Sequence, residues 1–319
     1  MTNTKQNEPN IPVNAFIFEY TAAQMSHLPD YAGSAWRGAF GHSLKRTVCV
    51  VRNTPCSDCM LKNQCAYSYV FETPPPDNAE KMRKYTASPH PFVFEIPESD
   101  KKTGQKYKIK LIIFGHGIDF FPYMVHAMQK AGENGIGRAR QRFALQNIRQ
   151  ITSNTEKIVY QHGQLKPLLK ETRLQIPEMP RQITINIHTP IRIKHSGHYL
   201  HPDSFSFAGF FGNLLRRISM LSYFHTDSPL ETNFSRLTQA SRQIEFSHAM
   251  LKWFDWKRYS SRQKTEMNMG GVIGSLELDM KEMQDFWPYI WLGQHTHVGK
   301  ATSMGLGHYS IQTTSLPDR

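Results

Sequence analysis

The stretch Asn14-Ala15-Phe16-Ile17-Phe18-Glu19-Tyr20 predicts a β-strand, and residues 34–48 after it predict a helix. Within that helix, apolar side chains recur every four residues and so share one face: Trp36, Phe40, Leu44 and Val48. The pattern then predicts strands at 92–96 and 106–114, a helix at 121–132 and a strand at 142–151. This βαββαβ order is that of a ferredoxin-like, or RRM-like, unit.

The same order recurs in the second half of the chain, after a polar, proline-containing linker at 161–181. There the pattern predicts strands at 182–193, 244–255 and 271–279, helices at 204–222 and 281–291, and a terminal strand from residue 307. We therefore predict an α+β protein of two tandem ferredoxin-like domains, residues 1–165 and 182–319. A Cys-rich insertion at 49–76 belongs to the first domain, and a glycine-rich loop at 293–307 belongs to the second.

The chain is strongly basic, with 38 Lys and Arg residues against 26 Asp and Glu residues and a formal net charge of +12. Such a charge attracts polyanions, of which nucleic acid is the commonest. Aromatic residues make up 12% of the chain and suit base stacking. Every apolar run is far shorter than the roughly 18 residues of a membrane span, and residues 1–10 are polar, unlike a signal peptide. We therefore expect a cytoplasmic protein with no membrane partner.

All four cysteines fall between residues 49 and 65, with the spacing C-x6-C-x2-C-x5-C. Clustered thiolates in a cytoplasmic protein indicate a metal more than disulfides, and four soft ligands suit tetrahedral zinc. The predicted ligands of a structural zinc are Cys49, Cys56, Cys59 and Cys65. An iron–sulfur cluster and reduced thiols packed in a loop are the alternatives. Four protein ligands leave no open position, so the metal would brace the loop and take no part in catalysis.

Near the carboxyl terminus, glycines surround a lysine in a run that follows an aromatic and apolar segment. Glycine lets backbone N–H groups approach an anion closely, and a lysine adds a positive charge to such a nest. The sequence therefore favours a phosphate-bearing ligand at Gly299, Lys300, Gly305 and Gly307. The alternative is a tight connection between two elements.

Three tracts together resemble one known family. The first is Gly33-Ser34-Ala35-Trp36-Arg37-Gly38-Ala39-Phe40-Gly41-His42-Ser43-Leu44-Lys45. The second combines Cys56-Ser57-Asp58-Cys59, Cys65-Ala66-Tyr67 and Phe71-Glu72-Thr73-Pro74. The third is His297-Val298-Gly299-Lys300-Ala301-Thr302-Ser303-Met304-Gly305-Leu306-Gly307. These tracts are similar to the CRISPR-associated precursor-crRNA processing endoribonucleases of the RAMP superfamily, and the third is similar to that family's glycine-rich loop.

This resemblance implies tandem ferredoxin-like domains that hold the repeat of a precursor crRNA. It also implies metal-independent cleavage within each repeat, with no cofactor for catalysis and a 2′,3′-cyclic phosphate as product. In the family, a catalytic histidine often lies in or just after the first helix, assisted by tyrosine or lysine. The alternative is a noncatalytic RNA-binding subunit of a CRISPR effector complex with the same fold. Other effector subunits are expected as partners.

Histidine suits the proton transfers of RNA cleavage because its unperturbed pKa of about 6.5 is near working pH. Lysine or arginine suits the developing negative charge. His42 is the first catalytic candidate, and Lys45 at i+3 shares its helix face. The loop before the helix supplies His27 and Tyr31 as further candidates. His297 is another candidate, with the alternative that it only shapes the glycine-rich loop by hydrogen bonding.

Cations that would contact RNA phosphates lie in both halves of the chain. Arg138, Arg140 and Arg142 alternate as they would along a strand, which would line them on one face. The full predicted set for RNA binding is Arg37, Arg138, Arg140, Arg142, Arg216, Arg217, Gly299, Lys300, Gly305 and Gly307. The alternative for the arginines is a solvated strand edge or helix face.

Overall fold

The computed structural model describes residues 8–22, 28, 31–76, 79–81, 87–96, 106–170, 174–195, 197–260 and 265–313. The chain divides into two units. The N-terminal unit comprises residues 11–173 and 220–228, and the C-terminal unit comprises residues 1–10, 174–219 and 229–319. Within the described ranges, no helix has both the length and the apolar character that crossing a membrane requires.

In the N-terminal unit, the strands form one antiparallel sheet, and two helices pack with it. The elements are β1 (Val13–Ala22), helix α1 (Gly33–Val48), β2 (Phe92–Glu95), β3 (Lys106–Phe114), helix α2 (Phe121–Asn134) and β4 (Phe143–Ile151). The strand order is β2-β3-β1-β4, so the first strand is paired on both edges. A hairpin of β5 (Glu156–Gln161) and β6 (Gln164–Leu165), which the sequence pattern does not predict, extends the sheet beyond β4.

One face of this sheet is buried under the two helices. Successive side chains of a strand face opposite ways, so alternate residues of β1 enter one core: Phe16, Phe18 and Tyr20. From α1, Trp36 and Phe40 enter the same core, as their four-residue spacing predicts. Phe16 also stacks on Phe121 of α2, with ring centroids 4.0 Å apart. The apolar face of α1 therefore lies on the sheet, and its polar residues occupy the other sides.

The C-terminal unit is built around a second antiparallel sheet, with more insertions. Its strands are β7 (Gln182–Ile191), β8 (Lys194–His195), β9 (His198–Tyr199), β10 (His248–Phe254), β11 (Lys257–Ser260), β12 (Thr265–Asn268), β13 (Gly271–Asp279) and β14 (Tyr309–Thr313). Its helices are α3 (Phe207–His225, of which residues 207–219 lie in this unit), α4 (Phe234–Ala240) and α5 (Trp287–Thr296). The main sheet has the order β10-β13-β7-β14, so its first strand is again central.

The predicted mixed α+β class with antiparallel sheets is confirmed, but several elements begin later than predicted: β10 begins at His248, α3 at Phe207 and β14 at Tyr309. The helix predicted at 281–291 is α5, which begins at Trp287 because Pro288 occupies its first turn, where a missing N–H breaks no hydrogen bond. The strand predicted from residue 142 begins at Phe143, and residues 137–140 form a turn. In that region Gly135 and Gly137 have φ angles of +90° and +72°, which end α2 and delay the strand.

Replacing Gly293 of α5 by alanine is expected to lower the free energy of unfolding by about 1–3 kcal/mol. A Cβ atom there would overlap the hydroxyl of Tyr309 and lie 2.8 Å from Cδ1 of Leu214, and both neighbours are buried. Urea denaturation followed by circular dichroism measures the change.

The matched control is Gly38→Ala in α1, because a Cβ atom on this exposed glycine meets nothing within 4 Å. The higher helix propensity of alanine should stabilise this variant by up to about 1 kcal/mol. Equal free energies of unfolding for the two variants would show that the crowding at Gly293 has no energetic consequence.

Candidate functional site

The side of α1 that does not face the sheet carries residues predicted for catalysis and RNA binding. His42 is exposed, and Lys45, one turn later, is half-buried with Nζ 5.4 Å from the centre of the Tyr67 ring. Arg37 is half-buried and lies in one i, i+4, i+8 row with Gly41 and Lys45. The structure therefore brings one imidazole and two cations together on a single stretch of helix.

Arg37 has two contacts that fix its guanidinium. Its Nη2 donates to Nε2 of His90 at 2.8 Å, and its Cζ lies 4.3 Å from the centre of the Phe71 ring. Because a guanidinium can only donate, this nitrogen of His90 carries no proton. The sequence reasoning did not single out His90. Phe71 and Tyr67 stand in a family-like tract, yet their spacing alone indicated no partner.

Of the two catalytic candidates that precede α1, Tyr31 and His27, only Tyr31 is among the described residues. Tyr31 is half-buried and lies two residues before the helix begins. His27 lies outside the described residues. Tyr31 is thus placed at the amino end of the helix that carries His42.

His297 is fully buried directly after α5. Its Nδ1 lies 3.1 Å from the carbonyl oxygen of Leu306, which can only accept, so Nδ1 carries the proton and donates. The imidazole also stacks on His308, with centroids 5.0 Å apart and planes 21° from parallel. These contacts join the two ends of the glycine-rich loop and favour the loop-shaping role over a catalytic one.

The amides of the three loop glycines already donate within the protein. Gly299 donates to Oδ1 of Asn213 at 2.9 Å, Gly305 to the carbonyl of Thr302 at 2.8 Å, and Gly307 to the carbonyl of Pro190 at 3.1 Å. The expected nest of open glycine amides is therefore wrong for these residues.

The loop glycines instead permit close approach of the chain to itself. Gly299 has φ +91°, and a Cβ atom there would lie 2.7 Å from the carbonyl oxygen of Arg192. At Gly307, with φ +73°, a Cβ atom would overlap the carbonyl oxygen of Val298. The Lys300 side chain is exposed, while its backbone N–H donates to the carbonyl of Arg192 at 2.9 Å. Lys300 is the part of the loop that reaches solvent with a positive charge.

The arginines predicted for RNA binding separate into exposed and enclosed ones. Arg138 and Arg140 are exposed in the turn before β4, and Arg142 is exposed just ahead of that strand. Their predicted alternation along a strand is wrong, because Arg140 has φ +47° and the turn closes with a bridge between Ile136 and Gln141. All three side chains nevertheless reach solvent on one short segment.

The adjacent arginines of α3 have opposite environments. Arg216 is exposed, whereas Nε of Arg217 donates to the carbonyl of Thr296 at 2.5 Å. Thr296 ends α5, where a positive charge suits the negative end of the helix dipole. Burial lowers the pKa of Arg217 to about 9. Arg217 therefore has a capping contact, and of the two only Arg216 faces solvent.

The four cysteines lie between α1 and a π-helical segment, Ser68–Glu72, and all are half-buried free thiols. Burial raises the pKa of the Cys56 thiol; Lys45 opposes the rise, and Cys49 and Cys65 add to it. These thiols thus share one neighbourhood. Among the described residues, no three cysteine sulfurs lie within 4.8 Å of one another, so the expected four-thiolate zinc site is not preformed.

Two family models match the chain. Residues 11–173 match an N-terminal domain family, AF_1859_N, and residues 185–309 match the CRISPR-associated endoribonuclease Cas6 family. Residues 185–309 thus belong to the Cas6 family of CRISPR-associated endoribonucleases, and residues 11–173 belong to the AF_1859_N family. The family expected from the helix, cysteine and glycine tracts is confirmed.

This Cas6-type chain is also similar to individual known proteins. It is 21% identical over 173 residues to an uncharacterized protein of Archaeoglobus fulgidus, a match that spans 53% of the chain and 57% of that relative's length. Its fold is similar to that of Thermus thermophilus Cas6, with a TM-score of 0.54, 15% identity and coverage of 95% and 99% of the two chains. A Cas6 product complex gives a TM-score of 0.57 at 15% identity, with coverage of 94% and 99%. At these identities the structural likeness concerns the fold.

Replacing Gly307 by alanine is expected to destabilise the glycine-rich loop of this Cas6-type protein. The variant combines a strained positive φ with overlap between the new Cβ atom and the Val298 carbonyl. We expect a loss of about 2–4 kcal/mol in the free energy of unfolding. Thermal and urea denaturation of the purified variant measure it.

Gly197→Ala separates these two effects. Gly197 has a similar φ, +88°, but a Cβ atom there meets nothing within 4 Å. This variant should lose only the roughly 1–2 kcal/mol of left-handed backbone strain. If Gly307→Ala loses no more than Gly197→Ala, the close approach to Val298 does not determine the need for glycine.

Proposed function

We propose that the protein binds CRISPR repeat RNA and cleaves precursor crRNA on a scaffold of two ferredoxin-like units. The β2-β3-β1-β4 order in one unit and the β10-β13-β7-β14 order in the other support this scaffold, since each has the first strand between the third and the fourth. The Cas6 family match over residues 185–309 supports the activity. One observation carries the proposal: exposed His42 lies on α1 with Arg37 and Lys45, and Lys45 at i+3 is its neighbour on the helix surface.

The proposed reaction uses the RNA's own 2′-hydroxyl as nucleophile. His42 accepts the proton of that hydroxyl, its oxygen bonds to the adjacent phosphorus, and the bond from phosphorus to the 5′-oxygen breaks. The products carry a 2′,3′-cyclic phosphate and a 5′-hydroxyl, whose oxygen receives a proton from a second group. Tyr31, at the amino end of α1, and His27, earlier in that loop, are the proposed sources of this proton. Arg37 and Lys45 stabilise the additional negative charge on the phosphorane.

The proposed chemistry needs no metal, because proton transfer and charge stabilisation are both assigned to side chains. A structural zinc at the four cysteines stays a prediction. Its thiolate ligands would fill a tetrahedral shell and leave no position for substrate. Any such metal would stabilise the segment between α1 and Ser68–Glu72 and take no part in cleavage.

The proposed RNA contacts are made by the predicted cations that reach solvent in each unit. In the N-terminal unit these are Arg138, Arg140 and Arg142, and in the C-terminal unit they are Arg216 and Lys300. Other CRISPR proteins are proposed partners, since one similar solved structure is a partial Cas6-RT-Cas1–Cas2 complex, with a TM-score of 0.57 at 14% identity over 95% of this chain and 46% of that one. The proposed place of action is the cytoplasm.

His42→Ala is expected to slow single-turnover cleavage of repeat RNA by about 100-fold or more, because the base that accepts the 2′-hydroxyl proton is removed. The assay uses end-labelled repeat RNA with EDTA present throughout. The matched control is His126→Ala, which removes another exposed helical histidine, on α2, and should leave the rate unchanged.

Three results of this assay contradict parts of the proposal. Full activity of His42→Ala removes His42 from the reaction. Loss of cleavage by the unmodified protein in EDTA removes metal independence, and RNA binding without cleavage under any condition identifies a noncatalytic subunit. Resistance of the 3′ end to phosphatase until it is treated with acid tests the cyclic phosphate.

Replacing both Arg138 and Arg140 by glutamine is expected to weaken RNA binding and to flatten its salt dependence. The slope of log K against log salt concentration should fall by about 0.7 for each phosphate of a single strand that the variant no longer neutralises. Filter binding at several salt concentrations measures it. Lys130→Gln is the control, since Lys130 on α2 is paired with Glu133 at 2.7 Å; an equal change of slope in this variant would show that the turn holds no specific contact.

A further inference from the structure

We propose that Phe71 and Tyr67 are positioning residues that hold the side chains of Arg37 and Lys45 against α1. This inference rests on the proposed function. It concerns the N-terminal unit alone, where α1 and the π-helical segment Ser68–Glu72 lie side by side.

Gly41 lies in the middle of α1 and has no side chain on the face that meets the π-helical segment. Arg37, Gly41 and Lys45 follow one another at intervals of four residues and so form a row along α1. A Cβ atom on Gly41 would overlap the Phe71 ring, so that ring lies directly against the helix backbone in the middle of the row. Arg37 lies one turn before this contact and Lys45 one turn after it.

Each of the two cations contacts one aromatic ring: Arg37 contacts Phe71 and Lys45 contacts Tyr67. Tyr67 and Phe71 stack with centroids 5.5 Å apart and planes 18° from parallel. The guanidinium carbon of Arg37 lies 4.3 Å from the Phe71 centroid, and Nζ of Lys45 lies 5.4 Å from the Tyr67 centroid. Both distances are within the roughly 6 Å over which a ring attracts a cation. His42 follows Gly41 in the chain and is exposed; Lys45, three residues later, is its neighbour on the helix surface, and Arg37 lies five residues before it.

The segment that carries Tyr67 and Phe71 is itself held in place by hydrogen bonds. The segment is closed by a hydrogen bond from the Thr73 amide to the carbonyl of Ser68 at 2.6 Å, five residues back, and Thr73 has φ +49°. A β-branched residue is strained at positive φ, so surrounding contacts must enforce this turn. One such contact is between the Tyr67 hydroxyl and Oε1 of Glu72, at 2.9 Å.

A second anchor is Tyr69, which lies between Tyr67 and Phe71 in the sequence and contacts His225. Nε2 of His225 donates to the carbonyl of Pro89 at 2.8 Å, because a carbonyl can only accept. In neutral His225 the other nitrogen, Nδ1, then accepts from the Tyr69 hydroxyl at 2.9 Å. Tyr69 is thereby held in place, and the Tyr67 and Phe71 rings on either side of it are restricted as well.

The consequence for catalysis follows from preorganisation. Long cationic side chains lose rotamer freedom when they must meet a developing charge, and charges that are already in position avoid that loss at the moment of reaction. The ring beneath Arg37 and its hydrogen bond to His90 restrict the guanidinium before RNA arrives. We therefore expect Phe71 to affect the cleavage rate much more than RNA affinity.

The test compares Phe71→Leu with Phe71→Tyr, which restores an aromatic ring. Single-turnover cleavage of repeat RNA gives the rate, and binding of the same RNA with a 2′-deoxy nucleotide at the cleavage site gives the affinity. Phe71→Leu should slow cleavage about 5- to 10-fold with less than about a twofold change in affinity. Phe71→Tyr should return within about twofold of the unmodified rate.

A double variant shows whether Phe71 acts through Arg37. If it does, Arg37→Ala with Phe71→Leu is no slower than Arg37→Ala alone, whereas multiplying effects would overturn the inference. An unchanged rate for Phe71→Leu, or a loss shared equally by rate, affinity and melting temperature, would also overturn it. These failures leave the proposed function intact provided that His42→Ala abolishes cleavage. Absence of cleavage by the unmodified protein is the separate result that removes the proposed function itself.

Discussion

The first strand of each unit is hydrogen-bonded along both edges, and this double pairing determines where the other elements lie. β1 pairs with β3 and β4, whose paired residues follow those of β1 by 85 to 136 positions in the chain, from Thr21–Lys106 to Ala15–Ile151. Because β1 is central and one of its faces carries Phe16, Phe18 and Tyr20, the helices must cover that face. α1 then has one stable orientation, with Trp36 and Phe40 against the sheet. That orientation leaves the row Arg37, Gly41, Lys45 beside the π-helical segment.

Glycine within α1 shows how packing outweighs helix propensity. A glycine inside a helix costs about 1 kcal/mol relative to alanine, yet α1 contains both Gly38 and Gly41. At Gly41 the Phe71 ring occupies the space of a Cβ atom, so contact with the ring compensates for the lower propensity. At Gly38 nothing lies within 4 Å of that position, and nothing in the structure explains the glycine. The two positions look equivalent in sequence and differ only through a residue thirty positions later.

Elements set by local sequence periodicity were predictable from the sequence, whereas contacts between segments far apart in the chain were not. The type and approximate position of α1, α2 and the four main strands of the first unit follow from local periodicity, and the structure agrees. The hairpin β5–β6 is largely exposed and therefore lacks a clear apolar pattern. His42 and Lys45 are found from helix spacing alone. The partners of Arg37 are not, because His90 and Phe71 come from segments 53 and 34 residues away. In the glycine-rich loop, the structure has the tight connection that the sequence left open as the alternative, and the sequence does not indicate that the approaching atoms are carbonyls of Arg192 and Val298.

The positive charge of the chain divides into cations that the fold uses and cations that a ligand can use. Arg149 pairs with both Glu19 and Glu156, Lys110 pairs with Glu95, and Arg217 is fixed at the end of α5, so these charges are balanced or enclosed within the protein. A phosphate would have to break such contacts and desolvate the group released. The arginines of the turn before β4 need no such exchange, since they already reach solvent. A net charge of +12 therefore overstates the surface offered to RNA. What matters is where the exposed cations lie. A short segment that carries Arg138, Arg140 and Arg142 concentrates positive potential more effectively than the same charges spread over a sheet.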